Sequence, residues 1–282
     1  DEVIQFCKQA VVQSTTVRDA QVQCYAFLPA IGGAGASTLS IAMASLLSPT
    51  RKNSSMSRSC IVDLNIQSGT IADYLDLSPN FQLEELTEAP ERLDGHLLEV
   101  MLSRKPNGLA VLAAPQNLLP AARVDQLTLG RILDIAASKF DHMVIDMPRV
   151  WQPWTASILQ GTDKFFIVTE QTVSGLRHAK RLADLIDEQF SLDTSQSVIV
   201  SKSGRWSRSS VGRSQVKQAL GDRLAGFVSN RPNLTRDAQN RGLLLREVSR
   251  TNSVERDLQK IIQRLGKAAK PTTKASNSKS KV

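Results

Sequence analysis

The chain has 282 residues, of which 41% are hydrophobic, and this is enough to bury the core of one large α/β domain or two small ones. No apolar run reaches the length of a membrane-spanning helix, and no signal peptide is recognisable, so we predict a cytoplasmic protein without a transmembrane segment. The formal net charge is +8, but residues 264–282 hold six basic residues and no acidic one, which leaves about +2 for the remainder. The charge alone therefore does not indicate a folded nucleic-acid-binding domain.

From residue 22 onward, short apolar runs alternate with amphipathic stretches, which is typical of a mostly parallel sheet with helices on both faces. We predict one domain over residues 22–266, an N-terminal extension or linker over 1–21, and a disordered basic tail over 267–282. The tail either keeps the protein soluble or makes weak contact with DNA or an anionic membrane. In chain order the predicted elements are the strand QCYAFL, helix 37–47, strand SCIVDL, a helix near 91–102, strand LAVLAA, helix 125–138, strands HMVIDM and KFFIVTE, helix 174–189, strands SVIVSK and LAGFVS, and helix 254–265.

The cysteines and histidines give no sign of a metal site. Their spacing matches no set of metal ligands, and two of the cysteines fall in predicted strands, where a buried reduced thiol is the ordinary state. The histidines are scattered, and we expect them to be surface or packing residues. The residues concerned are Cys7, Cys24, Cys60, His96, His142 and His178.

The stretch LPAIGGAGASTLS, residues 28–40, joins the first predicted strand to the first helix and has the form of a phosphate-binding loop. Glycines permit the φ values that turn successive N–H groups toward one concavity, and the following helix adds its positive end. Ser37 is suited to bind Mg²⁺, and Thr38 to cap the helix or contact a phosphate. A glycine turn that merely packs a helix on a sheet is the alternative. The predicted nucleotide-binding residues here are Gly32, Gly33, Ala34, Gly35, Ala36, Ser37 and Thr38.

Polar residues follow two of the predicted strands. Asp63 and Asn65 end the second strand, and Asp146 ends the strand in FDHMVIDMP. A carboxylate at a strand end, in a chain that also has a phosphate loop, is placed to hold Mg²⁺ through water, and we assign this role to Asp146 together with Ser37. Asn65 carries an amide, which cannot accept a proton from water.

Four stretches together resemble the MinD/ParA class of deviant phosphate-loop ATPases and, more narrowly, the CpaE/TadZ group of pilus-assembly proteins. The resemblance runs from about residue 22 to 266, and the D-x-P-R followed by W-x-P-W is its most specific part. The stretches are AIGGAGAST, VDLNIQSGTIADYLDL, FDHMVIDMPRVWQPWTASIL and TEQTVSGLRHAKRLADLI.

The resemblance implies a P-loop NTPase-like fold of MinD/ParA type that binds ATP or ADP with Mg²⁺ and forms a homodimer. It implies a role in organising Flp-type (Tad) pilus assembly at the inner-membrane face or the cell pole. The implied partners are the pilus secretion ATPase and the inner-membrane platform proteins. It also places the nucleotide base near Ser201, where ParA-like proteins carry Asn, and near Pro232.

The sequence departs from the ATPase pattern at the groups that drive hydrolysis. Aligned on K-G-G-x-G-K-[ST]-T, it has Ile31 and Ala36 at the two lysines. Asn65 replaces the second carboxylate of the family's D-x-D, which leaves Asp63 as the one possible catalytic residue. We therefore expect ATP binding with weak or absent hydrolysis.

Two further features bear on partners. Arg149, Trp151 and Trp154 lie just beyond a strand end, and these residue types are enriched in interface hot spots; packing of the loop on the sheet is the alternative for the tryptophans. The pI of about 9.6 and the basic run SKSGRWSRSSVGRSQVK, residues 201–217, support a second function, that of a ParA-like DNA-partitioning ATPase. Nucleic acid is the less favoured partner.

Overall fold

The computed structural model describes residues 22–48, 58–79, 93–114, 126–190, 195–204 and 211–268. Within these residues, eight strands form one sheet in the order β3-β4-β2-β5-β1-β6-β7-β8. All neighbours are parallel except β3 and β4, which are antiparallel. The strands are β1 (Gln23–Pro29), β2 (Ser59–Asp63), β3 (Ser103–Arg104), β4 (Ala110–Leu112), β5 (His142–Asp146), β6 (Lys164–Glu170), β7 (Ser195–Ser203) and β8 (Leu224–Ser229).

Helices connect the strands and cover the sheet. A short 3₁₀ turn at Gly221–Arg223 leads into β8. The helices are α1 (Ala36–Leu47), α2 (Ile71–Leu75), α3 (Gly95–Met101), α4 (Gln126–Lys139), α5 (Thr155–Gln160), α6 (Val173–Phe190), α7 (Arg213–Leu220), α8 (Pro232–Asn240), α9 (Leu245–Val248) and α10 (Ser253–Ala268). No helix in these ranges is long and apolar enough to cross a membrane.

The core lies on both faces of the sheet. In β1, the side chain of Ala26 joins the hydrophobic cluster on one face, and that of Phe27 joins the cluster on the other. Alternate residues of a strand point to opposite faces, so a strand covered on both sides must be apolar throughout. The all-apolar runs of the sequence therefore form strands of this sheet. The sheet and the helices that cover it confirm the predicted α/β fold with helices on both faces.

Several features lie outside the predicted elements or outside the described residues. The two-residue strand β3 and the short helices α2 and α5 were not predicted, and α10 continues to Ala268, beyond the predicted domain end. Residues 1–21, with Cys7, and residues 269–282 lie outside the description. Cys24 and Cys60 are buried and free, as predicted.

The sheet order decides where the polar strand ends meet. Strand β5 lies between β2 and β1, and Asp146 is in register with Asp63 on one side and with Phe27 on the other. Because these strands are parallel, their carboxyl ends share one edge, which is where α/β sheets bind ligands. The glycine loop that follows β1 lies at this same edge.

Candidate functional site

The glycine loop has the backbone conformation that its sequence predicts. Gly33 and Gly35 have φ values of 73° and 86°, in the left-handed region that favours glycine. A Cβ placed on either residue would have no atom within 4 Å, so this side of the loop is open. Helix α1 begins at Ala36, and its first N–H groups face the loop. The backbone is therefore shaped to hold an anion.

Ser201 supports the loop. It is buried on β7, and its Oγ lies 2.5 Å from the carbonyl oxygen of Ala34 and 3.0 Å from that of Thr169. Its hydroxyl hydrogen is thus used inside the protein, and its predicted place beside the base remains a prediction. Pro232 is exposed at the first turn of α8, and its predicted role beside the base remains a prediction.

Ser37 and Asp146, the two predicted Mg²⁺ ligands, are brought together. Ser40 Oγ donates to Oδ1 of Asp146 at 3.0 Å and also contacts the carbonyl oxygen of Ala36 at 2.9 Å, and the Ser37 hydroxyl lies near enough to the same carboxyl group to act on its pKa. Asp146 is almost completely buried. Burial raises the pKa of this carboxyl group, and the two serine hydroxyls act in the opposite direction.

Asp63 is a second buried carboxyl group beside Asp146. Its oxygens accept hydrogen bonds from the backbone N–H of Asn65 at 3.0 Å and of Ile71 at 3.4 Å. Burial, and next the negative charge of Asp146, raise the pKa of Asp63, and these N–H groups only partly offset the rise. Two buried carboxyl groups with raised pKa values form a site that a divalent cation would stabilise.

The turn after β2 explains the position of Asn65. Its Nδ2 donates to the carbonyl oxygen of Ser68 at 2.9 Å, so the amide closes the turn. Gly69 approaches closely, because a Cβ there would lie 2.7 Å from Oδ2 of Asp63. The turn holds Asp63 in place and offers no carboxylate at position 65 to deprotonate water.

Thr38 is connected to the C-terminal part of the chain. Its Oγ1 accepts a hydrogen bond of 3.3 Å from Nε2 of Gln239 on α8. This contact joins the start of α1 to the segment that the resemblance assigns to the base.

The three predicted interface residues differ in their burial and contacts. Trp154 is only 3% exposed and belongs to the core, which is the packing alternative for this side chain. Trp151 stacks on Phe190 with ring centroids 5.0 Å apart and is half-buried. Arg149 is exposed, and its Nη1 lies 3.4 Å from where a Cβ on Gly32 would be. An interface role therefore remains a prediction for Arg149 and Trp151.

The donor set fits Mg²⁺ shared with a nucleotide rather than a metal held by the protein alone. In the described ranges, no group of three or more His, Cys, Asp or Glu side chains is placed to hold a metal ion. Mg²⁺ usually keeps several waters and binds one or two carboxylates together with substrate phosphates. Ser37, Asp146 and the open loop supply that combination, and Asp63 adds a second carboxyl group.

Sequence reasoning missed Ser40 and Gln239. Ser40 is a polar residue in the apolar helix ASTLSIAMASLL, three residues after Ser37, and this is a signal that it faces the same groups. Gln239 carries no local signal, because its contact with Thr38 depends on the tertiary fold.

No protein-family model and no curated protein matches this sequence. Solved structures do match it over most of its length. A ParA family ATPase from Chlorobium tepidum TLS has 20% identity and a TM-score of 0.74, covering 86% of this chain and 98% of its own. The septum site-determining protein MinD from Pyrococcus horikoshii OT3, complexed with Mg-ADP, has 16% identity and a TM-score of 0.69, covering 88% and 97%.

The MinC:MinD cell division protein complex of Aquifex aeolicus gives a third match, with 19% identity, a TM-score of 0.67, and coverage of 89% of this chain and 98% of that chain. At these identities the similarity establishes the fold. The chain therefore has the fold of ParA- and MinD-type ATPases.

Proposed function

We propose that the protein binds ATP with Mg²⁺, hydrolyses it weakly or not at all, and uses the bound nucleotide to set its assembly state. One observation carries the proposal: the open glycine loop, the first turn of α1 with Ser37, and the buried Asp146 carboxyl group lie together at one edge of the sheet. The parts that hold phosphate and metal are thus kept, whereas Ala36 and Asn65 stand at the positions of catalytic groups.

Weak hydrolysis follows from what these two residues cannot do. Ala36 cannot neutralise the charge that shifts between phosphates in the transition state. Asn65 cannot take a proton from water, and its amide is already bonded to Ser68. Binding depends largely on backbone N–H groups, so it should suffer less than catalysis.

We further propose a homodimer that acts as a scaffold for Flp-type (Tad) pilus assembly, at the inner-membrane face or the cell pole. The motif resemblance supports this role, and a protein of the same fold has been solved in complex with a partner protein, MinC. The proposed partners are the secretion ATPase and the membrane platform of the pilus machinery. Arg149 and Trp151 are candidates for the contact surface.

ATP turnover, measured beside ATP binding, tests the enzymatic part. We expect Mg²⁺-dependent binding, little phosphate release, and loss of Mg²⁺ dependence in Ser37→Ala. Hydrolysis at the rate of an ordinary ParA-type enzyme, abolished in the same variant, would contradict the proposal. For the cellular role, deletion of the protein should abolish Flp-type pili.

DNA partitioning is a second candidate, because one surface is basic. A groove of about 760 Å³ lies beside β8 between α7 and α10, and its lining has four basic residues, Arg213, Lys217, Lys260 and Arg264, against two acidic ones, Asp222 and Asp257. DNA binding should then weaken with salt and fall in a Lys217→Ala, Arg264→Ala double variant. DNA affinity equal in variant and wild type would count against this candidate.

A further inference from the structure

We propose that Arg149 supplies the positive charge that the glycine loop lacks, by binding the terminal phosphate of ATP within the same protomer. The inference rests on the proposed function, because it requires that the loop binds a nucleotide. It gives Arg149 a role in nucleotide binding besides any role at an interface.

The sheet order brings Arg149 to the loop. Strands β1 and β5 are neighbours, and Phe27 and Asp146 are in register near their ends. Arg149 follows β5 by three residues and reaches Gly32, the first glycine after β1, where its Nη1 lies 3.4 Å from the Cβ position. Two segments far apart in sequence therefore place a guanidinium group against the loop.

The charge of Arg149 is available for an anion. In the described part of the chain, no carboxylate lies within ion-pair distance of its guanidinium group. Some other arginines are paired, for example Arg104 with Glu99 at 2.6 Å and Arg246 with Glu255 at 3.5 Å. Arg149 is exposed, so a ligand entering the loop can reach it.

The position along the loop indicates which phosphate Arg149 contacts. Helix α1 begins at the far end of the loop, next to Ser37, so its N–H groups and positive end are placed to bind one phosphate there. Gly32 lies at the opposite end of the loop. A guanidinium group at this end places a positive charge beside the terminal phosphate. It can bind this phosphate through two parallel N–H hydrogen bonds.

Calorimetric titration of Arg149→Ala with ATP and with ADP, both with Mg²⁺, tests the inference. We expect the Kd for ATP to rise roughly 10- to 100-fold, the usual cost of one charge-assisted hydrogen-bonding group, and the Kd for ADP to rise less than about 3-fold. Arg149→Lys should recover part of the ATP affinity, because it keeps the charge but not the fork. Light scattering follows the particle mass in the same samples, and affinities are compared only at equal particle mass, so that a difference in dimerisation does not enter.

Arg104→Ala is the matched control, since it removes the same charge at the far edge of the sheet and should leave both affinities unchanged. Thermal unfolding checks that Arg149→Ala is folded. Unchanged ATP affinity in Arg149→Ala, or an equal loss for ATP and ADP, would overturn the inference while leaving the proposed function in place. Failure of the wild type to bind either nucleotide would overturn both.

Discussion

At the scale of single residues, the Ser40 hydroxyl is the contact that most directly positions Asp146. It donates to Oδ1 at 3.0 Å from inside the apolar helix α1. Loss of a side chain that hydrogen-bonds to a metal ligand typically lowers metal affinity by about 10- to 100-fold. We therefore predict that Ser40→Ala weakens Mg²⁺-dependent nucleotide binding about tenfold, measured by titrating Mg²⁺ into the protein with ADP.

Ser45 provides the control for this prediction. It is buried on the same helix, but its Oγ has no hydrogen-bond partner. Ser45→Ala removes the same atom without removing a contact, and it should leave the Mg²⁺ titration unchanged. Equal effects of the two substitutions would show that the helix, and not the hydroxyl beside Asp146, matters.

The Asp63 carboxyl group predicts a pH dependence of stability. Burial and Asp146 raise its pKa in the folded protein from 3.8 to about 8, so the folded state holds a proton that the unfolded state releases. The stabilisation is complete below the unfolded pKa and is lost as pH rises through the folded value. Without ligands, the free energy of unfolding should therefore decrease between pH 5 and pH 8.

Asp63→Asn isolates this effect, because its amide stays neutral. The difference in Tm between variant and wild type, measured by circular dichroism, should shift in favour of the variant as pH rises from 5 to 8. The amide beside the N–H of Ile71 can also change the stability by an amount that does not depend on pH, and this amount cancels when the Tm differences at two pH values are compared. A difference that does not change with pH would mean that Asp63 is ionised throughout.

At this scale, local motifs predicted part of the site. The glycines, Ser37 and Asp146 were identified because a strand, a turn and a helix follow one another in a short stretch, and because an acidic residue ends a buried strand. The contact of Arg149 with Gly32 was not predicted, because it depends on β5 lying beside β1. Ser201 was assigned to the base by analogy, whereas its hydroxyl supports Ala34.

At the scale of elements, length decided what could be predicted. The strands KFFIVTE and LAGFVS match β6 and β8 residue for residue, since each is an apolar run bounded by polar residues. Strand β3 has two residues, and α2 has five, so neither is long enough for its period to repeat. These short elements form because the neighbouring chain packs them.

Substitutions at two glycines test the packing of the elements, and we expect them to change the free energy of unfolding in opposite directions. A Cβ on Gly226 in β8 would lie 2.8 Å from Cγ1 of Ile261 on α10, whereas a Cβ on Gly130 in α4 would have no atom within 4 Å. We predict that Gly226→Ala lowers the free energy of unfolding by about 1–3 kcal/mol through overpacking. Gly130→Ala should raise it by roughly 0.5–1 kcal/mol through helix propensity.

Urea unfolding of both variants measures these changes. Each variant serves as the control for the other, because both substitutions add one methyl group and both are compared with the same wild-type domain. Stabilisation by Gly226→Ala would mean that α10 is not seated on β8 as described.

At the scale of the whole molecule, the fold joins a phosphate-binding loop to surfaces that respond to it. Thr38 at the loop contacts Gln239 on α8, and Gly32 contacts the segment of Arg149. The loop is thus connected to α8 and to the segment that follows β5. The proposed assembly function requires that nucleotide binding acts through these two connections.

The central claim is that a loop without lysines still binds ATP and controls assembly. The most direct test titrates the purified protein with ATP, with and without Mg²⁺, by calorimetry, and follows particle mass by light scattering in the same samples. We predict Mg²⁺-dependent binding together with a shift from monomer to dimer. No heat of binding and no change in mass at millimolar ATP would contradict the claim.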